Sequence, residues 1–435
     1  MRLPSGPGPA VAVWIATRAV LLLCVFKVFT LPGPDVTSDV TVIYQGWSDV
    51  LRTGTFPVDD VTWQYPPGAA LAVLAPGALP FLSYTAAFFV LACAADAVAF
   101  ACLLHAGGRT GSRRAGAWCW VAGVPLLGPT VYSRYDLMVV AVAVAALLAL
   151  SRHPRVAAGL AAFGAMLKVW PALLLLGTPR GRVTRVAWTT AVAVAALLAL
   201  LFTASMPGAF DFLTAQRDRG TEVESLGSLV FHVARHYGWE GEVRLNYGSI
   251  EFLGPYVGLV SDASLALTAA AFGWLLWWRL RAVEWTSTTP ADAAFAAVLL
   301  FTTTSRVISP QYLVWLVGLA AVCVTRRAGR QGLPALLVLA ATGVTLLEFP
   351  IWFGHVVTSD TLGVGLLVVR NGLLVAASLL ACRVLWRTTV TEPRRAGRTG
   401  RGPAAALPSF QQGTGRRAGA DRAAPSGGQR QELPR

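Results

Sequence analysis

Charge is scarce in this 435-residue chain: Asp, Glu, Lys and Arg make up 13% of it, against 55% hydrophobic residues. That balance excludes a set of soluble enzyme domains and a disordered chain alike. Lysine is almost absent, with Lys27 and Lys168 alone, so the net charge of +14 rests on arginine. Cysteine is sparse too: Cys24, Cys93, Cys102, Cys119, Cys323 and Cys382 sit inside apolar blocks with no CxxC pair. A secreted disulfide scaffold is excluded and no zinc pattern is present. The five histidines form no HExxH, and His232 and His236 stand four apart without a carboxylate pattern, so a metalloprotease is not supported. No GxGxxG or Walker sequence marks a nucleotide site, and no cofactor or metal is expected.

What is present is a series of apolar blocks near the ~20 residues that a helix needs to cross a bilayer. Arginines gather in short gaps between them, at 109–114, 152–155, 180–185, 279–281 and 326–330. Such gaps read as cytoplasmic loops rather than as a nucleic-acid surface. The gap at 32–67 instead carries Asp35, Asp39, Asp49, Asp59 and Asp60 against Arg52, and should face outward. Alternation predicts helices at 10–31, 84–105, 115–131, 136–150, 156–168, 170–177, 187–204, 255–278, 291–308, 311–324, 333–347 and 362–386. Segments 156–168 and 170–177 are too short to span and read as a pair meeting inside the membrane, while 68–80 reads as re-entrant or interfacial. The expected class is all-α: a polytopic membrane domain over residues 1–386, with about 10–12 transmembrane helices, both termini cytoplasmic and outward-facing juxtamembrane loops. The first apolar block is too long and lacks a small-residue cleavage site, so no cleavable signal peptide is read there. Residues 387–435, with ten arginines and three acids among Gly, Pro, Ala and Gln, read as a disordered cytoplasmic tail.

Two outward segments exceed what a connection needs, 32–67 and 205–254. In the first, Val40, Ile43, Tyr44, Trp47, Val50 and Leu51 fall at helical spacing, which predicts an amphipathic interfacial helix. At its start, either Ser38 or Asp39 only caps the helix, or Asp39 is a general base at the membrane surface. WQYPPGA, with Tyr65, either only stiffens the return of the chain or contributes to a site. Lys168 lies 13 residues past Arg155, ~20 Å of helix rise, too deep to snorkel easily. A charge there costs at least ~2.5 kcal/mol and should face a cavity or a partner. Arg134 and Asp136, in SRYDL, are an interfacial anchor with its counter-charge or part of a site; Arg306, in SRVISPQY, breaks a helix ahead of Gln311 and Tyr312. The outward cations Lys168, Arg134, Arg219 and Arg306 suit an anionic lipid headgroup such as a phosphate. Arg18 and Asp96 could pair across helices, Lys27 could snorkel, and His355 is a candidate in the last outward loop.

Taken in order, SDVTVIYQGWSDVLRTGTFPVDDVTWQYPP, SRYDLM, GAMLKVWPALLLL, RDRGTEVESLGSL and SRVISPQYLVWL resemble the polyprenol-phosphate-mannose-dependent mannosyltransferases of glycosyltransferase family 87, over about residues 10–385. The resemblance implies the GT-C fold and transfer of a sugar, usually mannose, from a polyprenyl phosphate to a lipid or glycan acceptor hydroxyl, on the outer face and with inversion. It puts the catalytic base on Asp39 with Tyr44 following. It matches Lys168 to the family's Lys-x-x-Pro lysine, and Arg219, Glu222, Glu224 and Ser225 to a charged stretch of the second long loop. Donor-phosphate contacts are then expected from Lys168, Arg134, Arg219 and Arg306, and substrate contacts from Tyr44, Tyr65, Asp136, Glu224, Gln311, Tyr312 and His355. The partners are a polyprenyl-phosphate-linked donor, the acceptor and the bilayer, with no nucleic acid. The rival class is a transporter or flippase of an anionic glycolipid, which often shows two similar halves; no internal repeat is visible here.

Overall fold

The structure, a computed structural model, describes residues 6–391 apart from 59 and 216–218. Of the expected basic tail, residues 387–391 continue the preceding helix as a π turn, and those from 392 onward lie outside the described residues. Helix α1 (Gly8–Val25) is followed by a π turn at Asp39–Tyr44 that runs into α2 (Gln45–Leu51), then by α3 (Ala69–Leu74), α4 (Tyr84–Gly107), α5 (Ala115–Leu126), α6 (Asp136–Ala149) and α7 (Pro154–Leu167). After α8 (Arg182–Ser205) come the short α9 (Phe212–Ala215) and α10 (Leu229–Ala234). The chain ends in α11 (Val257–Arg281), α12 (Thr289–Thr304), α13 (Tyr312–Thr325), α14 (Gly332–Leu346), α15 (Phe353–Thr358) and α16 (Thr361–Trp386). Six of these units, among the described residues, are long and apolar enough to cross a membrane: Gly8–Val25, Tyr84–Gly107, Arg182–Ser205, Val257–Arg281, Gly332–Ile351 and Thr361–Thr391. The protein is an all-α polytopic membrane protein. The other expected spans are shorter helices, of 12 to 16 residues.

Local chemistry sets the boundaries. Ser83 caps α4 by accepting the Ala86 N–H at 3.3 Å, and Asp360 caps α16 by accepting that of Gly363 at 3.0 Å. Prolines open α7 and α12, where a missing N–H costs nothing. Helix α7 stops where Lys168 turns extended (φ −158°, ψ 133°), and the chain resumes as a 3-10 turn over Trp170–Leu175, the interrupted pair that the sequence suggests. Helix α13 is the centre of the bundle, with every residue from Leu313 to Thr325 buried. Its contact with α5 depends on Gly116, where a Cβ would stand 1.9 Å from Thr325 Oγ1 and 2.4 Å from the Ala321 carbonyl oxygen. Helix α8 buries only Ala187 and Ala191, and exposes Val192, Leu197, Leu200 and Leu201 as a hydrocarbon-facing wall would.

The arginine-rich gaps meet at one end of the bundle. The Arg113 N–H binds the Thr325 carbonyl at 2.8 Å, Arg327 Nε reaches Ser112 O at 3.0 Å, and the Arg180 guanidinium meets the Arg279 carbonyl. The described residues of 32–67, 205–256, 305–311 and 347–360 gather at the other end, since α6 and α13 run from Asp136 and Tyr312 towards the arginines and α7 and α12 run back. The second of these segments holds an unforeseen small antiparallel sheet, β1 (Thr221–Glu222), β2 (Glu242–Asn246) and β3 (Ser249–Leu253), in the order β1-β3-β2. Its hairpin turns at Tyr247–Gly248, both with positive φ (48° and 74°), the two-residue form that matches strand twist.

Within the bundle Arg18 and Asp96 do pair, at 2.7 Å, with both side chains buried. Asp96 also accepts from Trp120 Nε1 and Tyr132 Oη, each at 2.6 Å, and Arg18 donates to the Val121 carbonyl at 2.9 Å. Asp96→Ala would strand a buried guanidinium, so a loss of ~3–5 kcal/mol is expected. Thermal melting of the detergent-purified protein measures it, and an unchanged melting point would show the network to be dispensable. Lys27 reaches out to Asp35 at 2.8 Å, both half exposed.

Candidate active site

Asp35 shapes the entry to the first long loop: its Oδ1 accepts from the Thr37 N–H and Oγ1 at 2.9 and 2.7 Å, an Asx turn ahead of the π turn. Burial opposes its charge, but the bonds from Lys27 and Thr37 hold its carboxyl below the usual carboxylate range. Ser38, the capping position, makes no capping bond, and the Asp39 carboxylate turns to Arg134, with Oδ2 2.9 Å from Nη2. The cap reading of Asp39 therefore gives way to an ion pair. Arg134 is itself anchored, with Nη1 donating to the Val36 and Ser133 carbonyls at 3.2 and 2.9 Å, so SRYDL is tied to the first loop. Asp60 is occupied elsewhere: it accepts from the Thr62 N–H and Trp47 Nε1, both at 2.8 Å. Despite burial, those bonds keep it below the usual carboxylate range.

The WQYPPG stretch packs on the interrupted helix, where Gly68 allows the chain within contact of the Met166 carbonyl; a Cβ there would stand 2.5 Å from that oxygen. Beside it, Lys168 Nζ bonds Asp136 Oδ1 at 2.7 Å inside a box of four rings, Tyr65, Tyr135, Tyr312 and Trp315, whose centroids are 5.1 to 5.5 Å away. Trp315 Nε1 also donates to Asp136 Oδ1, at 2.6 Å. Charge pairing and ring faces together offset the cost of burying an ammonium.

The second long loop and SRVISPQY form one body. The Glu222 N–H binds the Arg306 carbonyl at 3.1 Å, while its carboxylate accepts from the Ile308 N–H at 2.6 Å and Ser309 Oγ at 3.0 Å. Arg219 pairs with Glu251 at 2.6 Å and donates to Gln64 Oε1 at 2.8 Å and Ser249 Oγ at 2.5 Å. Gln64 Nε2 in turn donates to the Tyr247 carbonyl at 3.0 Å, so the hairpin tip is fastened to the first loop. Arg306 Nη1 donates to the Arg219 carbonyl and to Ser261 Oγ, each at 3.1 Å.

These segments enclose one cavity of about 500 Å³. Asp39, Tyr44, Tyr65, Arg134, Lys168, Arg219, Glu224, Arg306, Gln311 and Tyr312 all line it. Asp136 lies just behind, on Lys168, and His355 stands apart in α15 beside Asp360, half exposed. One side of the cavity is polar; another is apolar, with Leu265 of α11, Phe301 of α12, and Phe349 and Phe353 before and in α15. Periodicity and motif reading passed over Gln64, Glu251 and the buried pair Glu348–Arg370 at 2.6 Å, because isolated polar residues in apolar or loop sequence carry no spacing signal. The strand alternation in EVRLN-YG-SIEFL was the signal available for the hairpin carrying Glu251. The convergent cations are also less available than sequence suggests, since Arg134, Lys168 and Arg219 each already hold a carboxylate. Among the described residues no group of three His, Cys, Asp or Glu side chains is placed to hold a metal ion.

A polar pocket that joins seven separated segments at one end of a membrane bundle suits chemistry on a lipid-linked substrate. The family model for glycosyltransferase family 87 matches residues 63–310, more than half of the chain, taking in every cavity segment except the first loop up to Thr62 and the stretch from Gln311 onward. No curated protein matches the chain. The chain belongs to glycosyltransferase family 87 and is a multi-pass membrane glycosyltransferase.

Proposed function

We propose that this enzyme moves a mannosyl group from a polyprenyl phosphate to the hydroxyl of a lipid or glycan acceptor, with inversion, on the outer face of the membrane and on a GT-C scaffold. The observation that carries the reading is Asp39: a partly exposed carboxylate at the cavity, steadied through Oδ2 by Arg134, while Oδ1 takes no hydrogen bond among the described residues. A sugar hydroxyl is a weak nucleophile, so a positioned base is required. As the acceptor oxygen bonds to the anomeric carbon, its proton passes to Asp39. The bond from that carbon to the phosphate oxygen breaks on the opposite face, and its electron pair leaves with the polyprenyl phosphate. Arg219 and Arg306 offer positive charge to that leaving group. The volume lies within the ~300–1,000 Å³ of small-molecule sites, and the wall at Leu265 and Phe301 suits the first isoprene units.

Incubating membranes that contain the enzyme with radiolabelled polyprenyl-phosphate mannose should label a lipid or glycan product, and membranes lacking it should not. Equal labelling in both would remove the reading. Orientation has its own test. In a cysteine-free background, Val61→Cys should react with an impermeant thiol reagent added outside intact cells, and Arg327→Cys only after permeabilisation. Labelling of both from one side would overturn the outward placement of the cavity.

A further inference from the structure

Among the described residues, one acid of the cavity has neither a close counter-charge nor a hydrogen bond to its carboxyl. Asp39 has Arg134, Asp136 has Lys168, Glu251 has Arg219, and Glu222 accepts two hydrogen bonds. Glu224 lines the same cavity with 4% exposure, and its Oε1 has no hydrogen-bond partner. Its nearest cation is Arg370, 4.0 Å away, and that guanidinium is already engaged by Glu348 through two bonds of 2.6 and 3.0 Å. The Glu224 and Glu348 carboxyls thus flank one guanidinium, and two buried acids that share a single cation favour holding a proton between them.

We infer that Glu224 is a neutral carboxylic acid whose buried oxygen, Oε1, lies towards Arg370 and Glu348 and whose other oxygen offers the cavity an uncharged acceptor for a sugar hydroxyl. Three charged groups face it: Glu348 at the end of α14, Arg370 on α16 and Glu222 on β1. Burial, then the carboxyls of Glu348 and Glu222, push it well above the usual carboxylate range, with Arg370 opposing. Behind Val223, His232 is pushed down to about 4, chiefly by burial, so it adds no charge above that pH. An uncharged acceptor has a clear use here, because a second bare carboxylate would repel the anionic phosphodiester that the proposed reaction requires. The inference rests on that reading for the identity of the ligand; the protonation of Glu224 does not.

Glutamine decides the matter, since its amide donates to Glu348 and its carbonyl accepts a hydroxyl as the neutral acid does. Near neutral pH Glu224→Gln should exceed Glu224→Leu by roughly tenfold in kcat/KM, because only the amide can still accept the hydroxyl. In wild type the KM for the sugar that Glu224 contacts should rise about tenfold per pH unit once the pH passes its raised pKa, as the acid loses its proton; Glu224→Gln should be flat. A rise in the donor KM places the hydroxyl on the donor sugar, and a rise in the acceptor KM places it on the acceptor. Infrared difference spectra give a readout without substrate: a protonated carboxyl band present at neutral pH in wild type and missing in Glu224→Gln. Loss of that band supports the inference even if mannose transfer itself fails, so the two readings fall separately. Identical spectra, a Gln variant that is inactive or does not fold, or a wild-type KM flat with pH for both sugars would overturn it.

Discussion

Asp39→Asn is expected to lower sugar transfer by roughly 10²-fold or more while leaving abundance and melting temperature close to wild type, in the range attributed to positioned acid–base groups. The asparagine side-chain oxygen still accepts from Arg134, whose other contacts to the Val36 and Ser133 carbonyls are untouched. No cap is lost, because the turn ahead of the helix is held by Asp35, and the Ser38 hydroxyl donates back to the Asp35 carbonyl at 2.8 Å rather than capping the helix. What disappears is a group able to take the acceptor's proton. Asp35→Ala supplies the contrast: it should loosen the loop and lower stability. Folded Asp39→Asn enzyme with near wild-type transfer would remove Asp39 from the chemistry. Asp60, already bound by Thr62 and Trp47, would be a poor replacement.

The bundle was legible in the sequence because hydrocarbon imposes one rule on every segment, and length with apolar content reports it. Twelve expected helices fall close to observed ones, and even the break at Lys168 was readable from a charge followed by Pro171 in apolar sequence. The candidate site was legible as a set of residue types and hidden as a set of pairs. Arg134 with Asp39, Arg219 with Glu251 and Arg370 with Glu348 each join segments far apart in the chain, and no local period records such a contact. The sequence therefore groups Lys168, Arg134, Arg219 and Arg306 as phosphate contacts without showing which carboxylates three of them hold. Arg18 with Asp96 was foreseen for a different reason: two lone charges in neighbouring spans leave each other as the obvious partner.

The pairing of Lys168 changes what its removal means. Lys168→Met alone leaves Asp136, 1% exposed, without its cation and with only the Trp315 N–H on Oδ1, so a loss of stability of ~3–5 kcal/mol is expected. Low transfer in that variant would say nothing about substrate. The double variant Lys168→Met with Asp136→Leu removes both charges from a box of rings, and replacing a buried ion pair with apolar side chains of similar size is often neutral or better. Its melting temperature should therefore return towards wild type. The Lys168 ammonium has three N–H groups and, among the described residues, an acceptor for one of them, Asp136 Oδ1, while its side chain borders the cavity. If the others meet the donor phosphate, the refolded double variant still lacks a charge-assisted contact of ~1.5–3 kcal/mol, and transfer stays about ten- to a hundredfold down, expressed in the donor KM. That is the expected result. Transfer returning in step with stability would instead show that Lys168 only holds the interrupted helix against α6 and α13, and would leave Arg219 and Arg306 as the cations for the phosphate.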